Sequence, residues 1–277
     1  FAGKGILLQS ENGAENCIID CQQVARGFYF DDDEPDTAVV DGFTIKRGNT
    51  TGDQYYNRGG AILINDSRAV FLNCIIRDNS AEAGGGGIAL IYSGRGTFVN
   101  CDILYNHTSS GGGGISVDSS NIQMTDCRVL GNDASVSGGG IMSSAGSGNY
   151  FNVLIEGNIA QLAGGGVFLT NIPPVNFFNC AIAYNVAGAM AGGVFTLDSR
   201  AEFHNCTVFS NSGPTSANGL FANGTYLPSL RNCIVYGNGG YDVGGETINP
   251  PASYCDIMWG GSSNPYPGAG NIDADPL

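Results

Sequence analysis

The amino-acid sequence predicts an all-β protein, a right-handed, single-stranded parallel β-helix of about ten coils with three short strands in each coil. Three observations predict it. The phrase Asn-Cys-x-Ile/Val-x-x-Asn recurs every 26 or 27 residues, and a run of glycines follows most of its copies. Between these markers, apolar residues alternate with a period of two over three to five residues, which indicates short strands and no helix. A repeat of this length, in which each unit buries its apolar face against its neighbours, is typical of a solenoid.

The repeated phrase predicts which side chains point inward. The third residue before each cysteine position is always large and apolar, so this column is expected to line the core. Its members are Phe71, Phe98, Met124, Tyr150, Phe177, Phe203 and Leu230. The cysteine itself and the Ile or Val two residues later are expected to face the same interior, because side chains two apart in a strand share a face. No Leu-x-x-Leu-x-Leu consensus is present, which argues against a leucine-rich repeat.

Three corners separate the predicted strands. The asparagine before each cysteine is expected to occupy a tight corner, because asparagine tolerates the left-handed backbone conformation. These residues form one predicted ladder of stacked amides, with Asp126 replacing one member: Asn73, Asn100, Asn152, Asn179, Asn205 and Asn232. The asparagines that end the phrase, from Asn79 to Asn238, form a second predicted ladder. The glycine runs make the third corner, where a Cβ atom would not fit.

Nine cysteines invite a disulfide interpretation, but their spacing favours another one. Cysteines one repeat apart should stack in the interior as small apolar side chains. Val153 occupies the same column, which supports a packing role. Cys17 and Cys21 lie closer together and are the pair more suited to a different role. With only two histidines in the chain, no tetrahedral zinc cluster is predicted.

The chain is predicted to be a single β-helix domain over residues 1–277, part of a longer chain, with irregular coils over residues 239–277.

Composition limits the classes of function. The formal net charge of the chain is −14, with 11 basic and 25 acidic residues. This charge argues against binding nucleic acid, whose phosphates require cations. No apolar run approaches the ~20 residues needed to cross a bilayer, so no membrane span is predicted.

The sequence resembles a known class of proteins. The motif Gly59-Gly60-Ala61-Ile62, the repeated Gly-Gly-Gly-Ile/Val and the Asn-Cys-x-Ile-x-x-Asn phrase are similar to bacterial right-handed β-helix repeats. Those repeats occur in polymorphic outer-membrane proteins and in the pectate-lyase-like superfamily. The Phe-x-x-Asn tetrapeptide of the polymorphic proteins is one residue shorter here. The resemblance implies an exported protein that is either a polysaccharide lyase or hydrolase, or an adhesive or scaffolding module.

An enzymatic interpretation needs a cationic site near a long loop. A lyase of the resembled superfamily uses calcium and a basic residue against acidic polysaccharide. The candidates for catalysis are Lys46, Arg47 and Arg77, near the longest insertion of the chain, between residues 42 and 74. The acidic run Asp31, Asp32 and Asp33 is the candidate calcium site, because Ca²⁺ prefers oxygen ligands. The run lacks the spacing of a dedicated calcium loop, so a solvated acidic turn is the alternative.

One column of the strands after the glycine runs becomes aromatic towards the C-terminal end. Phe168, Phe195 and Phe221 should stack on consecutive coils. If they point outward, they form an exposed ladder suited to a glycan or a protein partner. If the coil is wider there, the same rings belong to the core. The sequence leaves these two alternatives open.

The first functional expectation is an exported or bacterial cell-surface β-helix that acts as an adhesive scaffold or assembly subunit. Its lateral faces and ends would contact other copies or surface polysaccharide. Coils from Cys74 to Cys233 differ by one residue in length. Enzymes usually carry their sites on longer loops, so this regularity favours a role without catalysis. The alternatives are a polysaccharide lyase or glycosidase, and a glycan-binding module without activity.

Overall fold

The computed structural model describes residues 1–52, 57–214, 217–245, 249–258 and 265–276. The chain winds into a β-solenoid of about nine turns, in which every sheet is built of parallel strands from successive coils. No helix occurs in the described ranges. The predicted fold class is confirmed, with one difference in strand number per coil.

Four stacks of strands run along the solenoid. Sheet 1 precedes the cysteine positions and contains Leu7–Gln9, Val39–Asp41, Arg68–Leu72, Arg95–Val99, Asn121–Thr125, Ser147–Phe151, Val175–Phe178, Glu202–His204, Ser229–Arg231 and Ala252–Ser253. Sheet 2 follows them and contains Ile18–Asp20, Thr44–Lys46, Ile75–Arg77, Asp102–Leu104, Arg128–Leu130, Leu154–Glu156, Ala181–Ala183, Thr207–Phe209, Ile234–Tyr236 and Asp256–Ile257.

Sheet 3 follows the glycine runs and contains Phe28–Phe30, Ile62–Asn65, Ile88–Ile91, Ile115–Asp118, Ile141–Ser144, Val167–Ile172, Val194–Ser199, Ala217–Asn223 and Tyr241–Gly245. Sheet 4 lies between sheets 2 and 3 and contains two-residue strands: Asn49–Thr50, Ser80–Ala81, His107–Thr108, Asp133–Ala134, Ile159–Ala160 and Val186–Ala187. The prediction of three strands per coil missed sheet 4, because two residues are too few to show alternation in a sequence.

The core is a set of columns that run along the solenoid. Phe71 and Phe98 stack with their ring centroids 5.3 Å apart, and the rings of Tyr150 and Phe177 stack at 4.6 Å. These rings and the Ile or Val column of sheet 2 are buried, as the repeat predicts. All nine cysteines are free, and seven of them are buried in the interior column. The thiols therefore serve as small core side chains.

The corner between sheets 1 and 2 is one left-handed residue. Asn73 has a φ of 51° and Asn100 has a φ of 52°, and the equivalent residue in each later coil to Asn232 also has a positive φ. The side chain of Asn100 donates to Asn73 Oδ1 at 2.8 Å, so the exposed corner amides are connected from coil to coil. Asp126 has no amide group and cannot donate back to Asn100. It accepts a hydrogen bond from Asn152 at 2.9 Å instead.

A second column of asparagines is buried at the corner between sheets 2 and 4. In a typical member, Asn132, the side-chain oxygen accepts hydrogen bonds from both the backbone N–H and the amide of Asn106. Its own amide donates to Ile103 O and to Asn158 Oδ1, each at 3.0 Å. The pattern repeats from Asn79 to Asn238 with every link intact. Each buried amide group is thus satisfied by the neighbouring coils, as burial requires.

The glycine corner exists because the backbones of neighbouring coils approach closely there. A Cβ atom on Gly139 would lie 2.3 Å from Ile159 O and 2.4 Å from Gly165 O. The preceding position needs a left-handed backbone, with a φ of 65° at Gly138 and of 62° at Gly164. Ala191 takes this position one coil later, with a φ of 48°. Two requirements, space and conformation, therefore select glycine at adjacent positions.

The two ends of the solenoid differ. At the C-terminal end, Tyr266 is buried and donates a hydrogen bond to Pro250 O at 2.6 Å. Asn271 is buried beside it and accepts a hydrogen bond from the backbone N–H of Cys255 at 2.9 Å. At the N-terminal end, Phe1 packs against Phe30 with a ring separation of 5.0 Å, but Leu7 is 60% exposed.

Candidate functional site

The three basic residues predicted as catalytic candidates lie at the ends of two adjacent strands of sheet 2, and each is paired with a carboxylate. Lys46 and Arg77 are paired across adjacent strands. The ammonium of Lys46 lies 3.7 Å from Asp20 Oδ2, and Arg47 makes two hydrogen bonds to the same carboxylate. Arg77 pairs with Asp78. The hydrogen bonds from Arg47 lower the pKa of Asp20, so this carboxylate stays ionised. Three cations thus share two carboxylates in this ion-pair group, and a catalytic role for it stays a prediction.

The acidic run does not gather its carboxylates. The side chains of Asp31, Asp32 and Asp33 are exposed, while Glu34 turns inward and is buried. Glu34 accepts hydrogen bonds from the hydroxyl of Ser67 and from the backbone N–H groups of Gly3 and Asp32. Burial opposes ionisation of Glu34, but these hydrogen bonds outweigh it and lower its pKa. Among the described residues, no three His, Cys, Asp or Glu side chains are placed to hold a metal ion. The run is an exposed turn in which the buried carboxylate of Glu34 anchors the chain, and calcium binding by Asp31, Asp32 and Asp33 stays a prediction.

The structure describes the insertion between residues 42 and 74 on both sides of one gap. Its residues 53–56 lie outside the described ranges. On one side of them, the backbone N–H of Gly52 donates to Glu82 Oε2 at 3.0 Å. On the other side, Arg58 reaches Asp118 with an ion pair of 3.2 Å. Leu63 and Ala89 face away from the main core in this region and are fully buried in a separate small cluster. The described part of the insertion therefore borders an apolar cluster.

The predicted aromatic ladder lies on the outer face of sheet 3. Phe168 and Phe195 stack with centroids 5.3 Å apart, and Phe195 and Phe221 follow at 5.8 Å. They form a cluster separate from the main core, together with Leu197 and Ala191. Phe195 is only 4% exposed, and the neighbouring rings cover both of its faces. The rings point outward, as one alternative predicted, but Phe195 offers no open face on which a sugar ring could stack.

Sequence reasoning missed a second outer ladder, which is on sheet 1. Phe151 and Phe178 stack at 5.0 Å, and His204 continues the stack at 5.1 Å. The next residue in the column is Arg231, in register with His204. The signal is present in the sequence, because the residue two before the cysteine position reads Phe, Phe, His and Arg on four consecutive coils.

A groove of about 540 Å³ lies at the end of this second ladder. It is defined here as the corner groove, and its lining is Phe178, His204, Asn205, Arg231, Asn232 and Tyr254. Asn232 donates to Asn205 Oδ1 at 2.7 Å. Tyr254 follows Asn232 in the corner column and has no amide, so Asn232 Oδ1 receives no hydrogen bond from a described residue. No carboxylate of the described chain pairs with Arg231. The groove therefore offers one cation and one acceptor beside aromatic rings.

A third surface feature is apolar and was also missed by sequence reasoning. Five aliphatic side chains between 37% and 50% exposed lie beside sheet 4 on consecutive coils, and they are named the lateral apolar strip: Val136, Ile159, Leu162, Val186 and Met190. Ile159 and Val186 are strand partners. The backbone N–H of Leu162 donates to Val136 O, and that of Met190 donates to Leu162 O, each at 2.8 Å. An exposed apolar patch on a soluble surface is typical of an interaction site.

Comparisons with known proteins identify a family and nothing finer. A family model described as a right-handed β-helix region matches residues 4–160, which is more than half of the chain. No curated protein and no solved structure matches the chain significantly. Over the described ranges, no helix has the length and apolar character to cross a membrane.

Proposed function

Because the chain belongs to the right-handed β-helix family, a fold that hosts both enzymes and binding modules, we propose that it is an exported or cell-surface scaffold that adheres through its lateral face. The lateral apolar strip is the observation that supports this function. Its five side chains expose apolar surface to solvent on three consecutive coils. The chain that carries this surface has a net charge of −14. A partner protein that covers the strip would remove this surface from water, which is favourable at about 25 cal/mol per Å².

The regular coil supports a scaffolding role. The continuous buried amide column and the parallel sheets join each coil to the next, and the exposed amide column adds links except between Asn100 and Asp126, which together resist bending. Nine turns at the ~4.8 Å spacing of strands make a rod of roughly 45 Å. A stiff rod holds a lateral strip in a fixed shape, so less conformational entropy is lost on binding.

The proposal is tested by adhesion. Wells coated with extracellular-matrix proteins, and wells coated with neutral or acidic glycans, are incubated with the purified chain with and without calcium. Retention on one protein coat is expected, and the double variant Ile159→Asp, Leu162→Asp should reduce it at least tenfold. The control variant Tyr92→Asp changes an exposed side chain elsewhere and should leave it unchanged. Absence of retention on every protein coat, or release of unsaturated sugars or reducing ends from a glycan, would overturn the proposal.

A second candidate function is binding of an acidic glycan without catalysis, and the corner groove favours it. The guanidinium of Arg231 is available for a sugar carboxylate, Asn232 Oδ1 can accept from a hydroxyl, and Tyr254 is 61% exposed. Charged hydrogen bonds of this kind are among the stronger polar contacts. Arg231→Ala should abolish retention on acidic glycans, whereas Arg95→Ala, which removes another unpaired arginine from sheet 1, should not. Equal retention by both variants would refute this candidate.

A further inference from the structure

The outer side of sheet 2 carries two columns of side chains on either side of a buried column. The buried column runs from Val129 to Ile257. The residue before each of its members forms the first outer column: Arg128, Leu154, Ala181, Thr207, Ile234 and Asp256. The residue after each of its members forms the second outer column: Leu130, Glu156, Ala183, Phe209, Tyr236 and Met258. These two columns, on six consecutive coils, are named the sheet 2 face.

The sheet 2 face is mostly uncharged, although the chain has a net charge of −14. Its charged members are Arg128, Glu156 and Asp256. Between these charges, Ile234 is 37% exposed and Leu154 is half-buried. An apolar face with a few charges at defined positions is typical of an interaction surface.

Each of the three charged groups can accept or donate a further hydrogen bond. Arg128 donates to Asp102 from Nε and Nη2, and no described residue accepts from its Nη1. Asp256 accepts the backbone N–H of Ala274 at Oδ1, whereas its Oδ2 accepts from no described residue. No basic residue of the described ranges forms an ion pair with Glu156. A partner on this face therefore needs an anion, a cation and a hydroxyl or amide donor at matching positions.

A second copy of the chain offers these groups at matching positions. The match requires a twofold axis that crosses the strands between the third and fourth of the six coils. Arg128 then lies opposite Asp256 of the other copy, and Glu156 lies opposite the hydroxyl group of Tyr236. Such an interface is isologous, so each pair occurs twice.

Neighbouring arrangements of two copies lack this match. An axis through the third coil would place Arg128 opposite Ile234, and an axis through the fourth would place Asp256 opposite Leu154. An axis along the solenoid would place Glu156 opposite Leu154 of the same coil. Each of these arrangements takes a charge out of water without a partner, which is costly.

We propose that two copies of this chain pair through their sheet 2 faces, antiparallel and in the matching register. The side chains at the centre, Ala181 and Thr207, are small and allow the two sheets to approach to about 10 Å. On either side of the centre, Leu154 packs against Ile234 of the other copy. The pairs of Arg128 with Asp256 lie at the two rims and fix the register.

The size of the sheet 2 face sets the expected strength. Six coils at the ~4.8 Å spacing make it about 29 Å tall, and a strand with one corner residue on each side is about 17 Å wide. The dimer would then bury about 1,000 Å² in total, the lower limit for a specific interface. A micromolar dissociation constant is therefore expected.

Analytical ultracentrifugation of the 277-residue chain tests the proposal. A monomer–dimer equilibrium is expected, with no larger species. Ile234→Lys places two cations against apolar side chains in the symmetric interface and should raise the dissociation constant at least tenfold. The matched control is Val186→Lys on the lateral apolar strip, which is 40% exposed and should leave the dissociation constant unchanged. Circular dichroism and the melting temperature should change little in both variants.

A charge exchange tests the register. Arg128→Glu places like charges opposite each other at both rims and should raise the dissociation constant at least tenfold. Adding Asp256→Arg restores opposite charges across the interface and should return the constant to within about fivefold of the parent value. Arg128→Glu also removes the ion pair with Asp102 inside each copy. The control Arg68→Glu removes a comparable ion pair with Asp36 on sheet 1 and should dimerise like the parent chain.

Three results would overturn the proposal. They are a strictly monomeric parent chain, a dimer that Val186→Lys dissociates and Ile234→Lys does not, and a charge exchange that fails to restore association. The adhesion assay measures binding through the lateral apolar strip to a coated surface, whereas association is measured in solution on another face. The two proposals can therefore fail separately.

Discussion

Asp242 ends the buried asparagine column by taking the place of the next amide above Asn238. Its Oδ1 accepts the backbone N–H of Asn238 at 2.7 Å and the side-chain amide of Asn238 at 2.8 Å. Its Oδ2 is buried and has no hydrogen-bond partner among the described residues. Burial, which the hydrogen bonds from Asn238 oppose only in part, raises the pKa of Asp242 to about 6. The column therefore ends on a carboxyl group that is protonated more readily than an ordinary aspartate.

This pKa makes stability dependent on pH. The folded pKa of Asp242 lies above its unfolded value of 3.8, so the folded state binds the proton more tightly. The contribution to stability is fully present below about pH 4 and is lost as the pH rises to 6, with a loss on the order of 2 kcal/mol. Urea unfolding of the parent chain and of Asp242→Asn should show this difference between pH 4 and pH 6.5. A constant difference between the two across that range would contradict the prediction.

The buried and the exposed asparagine columns should differ in their contribution to stability. Asn158 accepts two hydrogen bonds and donates three, all within the core. Asn158→Ala leaves several buried polar groups unpaired and should lower the free energy of unfolding by about 3 kcal/mol or more. Asn152→Ala removes an exposed amide from the other corner and should cost about 1 kcal/mol. Chemical denaturation measures both, and equal costs would refute the distinction.

The second glycine position of the corner, represented by Gly139, should be intolerant of a side chain for lack of space. Gly139→Asn would place Cβ against backbone oxygens of the next coil and should cost more than about 2 kcal/mol. Gly157 also has a left-handed φ, of 64°, but a Cβ there meets nothing within 4 Å. Gly157→Asn should cost less than about 1 kcal/mol, because asparagine tolerates this conformation. A larger thermal destabilisation by Gly157→Asn than by Gly139→Asn would contradict the packing argument.

The stacked thiols should react slowly in the folded protein, because seven of the nine cysteines are buried. The neighbouring thiol of Cys180 and burial raise the pKa of Cys206 to about 12, which keeps it protonated near neutral pH. Only Cys17 and Cys21 are partly exposed. A thiol reagent at pH 8 should therefore modify at most two cysteines quickly in the native state. All nine should react in guanidinium chloride without a reductant, and a lower count there would reveal a disulfide.

Phe195 should contribute mainly to packing. Its ring lies between Phe168 and Phe221 and is almost fully buried. Phe195→Ala should lower the free energy of unfolding by about 3 kcal/mol, because it leaves a cavity between the two remaining rings. Tyr184→Ala, which removes an exposed ring, is the control and should change it by less than about 1 kcal/mol. A small loss of stability for Phe195→Ala, together with weaker glycan retention, would favour a binding ladder instead.

Particular residues show how far the sequence alone predicts the site. The positions of Phe71, Cys74 and Ile76 in the core followed from their place in the repeat, and so did the left-handed corner at Asn73. The ion pairs of Arg47 with Asp20 and of Arg58 with Asp118 did not. An ion pair depends on the distance between charged atoms of different coils. The position of a residue in the repeat predicts only the coil and the face on which its charge lies.

The repeat period by itself determined the winding, the interior columns and the corners, because each of these depends on contacts between equivalent positions of adjacent coils. Only the tertiary structure decided the contacts of residues that have no equivalent in the adjacent coils. The stacked rings of Phe168 and Phe195 and the hydrogen bonds of Asn271 and Tyr266 depend on neighbours that the repeat does not supply. The repeat specifies the interior of a coil because equivalent residues of adjacent coils contact each other. Contacts on the outer surface involve residues that have no equivalent in the next coil, so the repeat does not specify them.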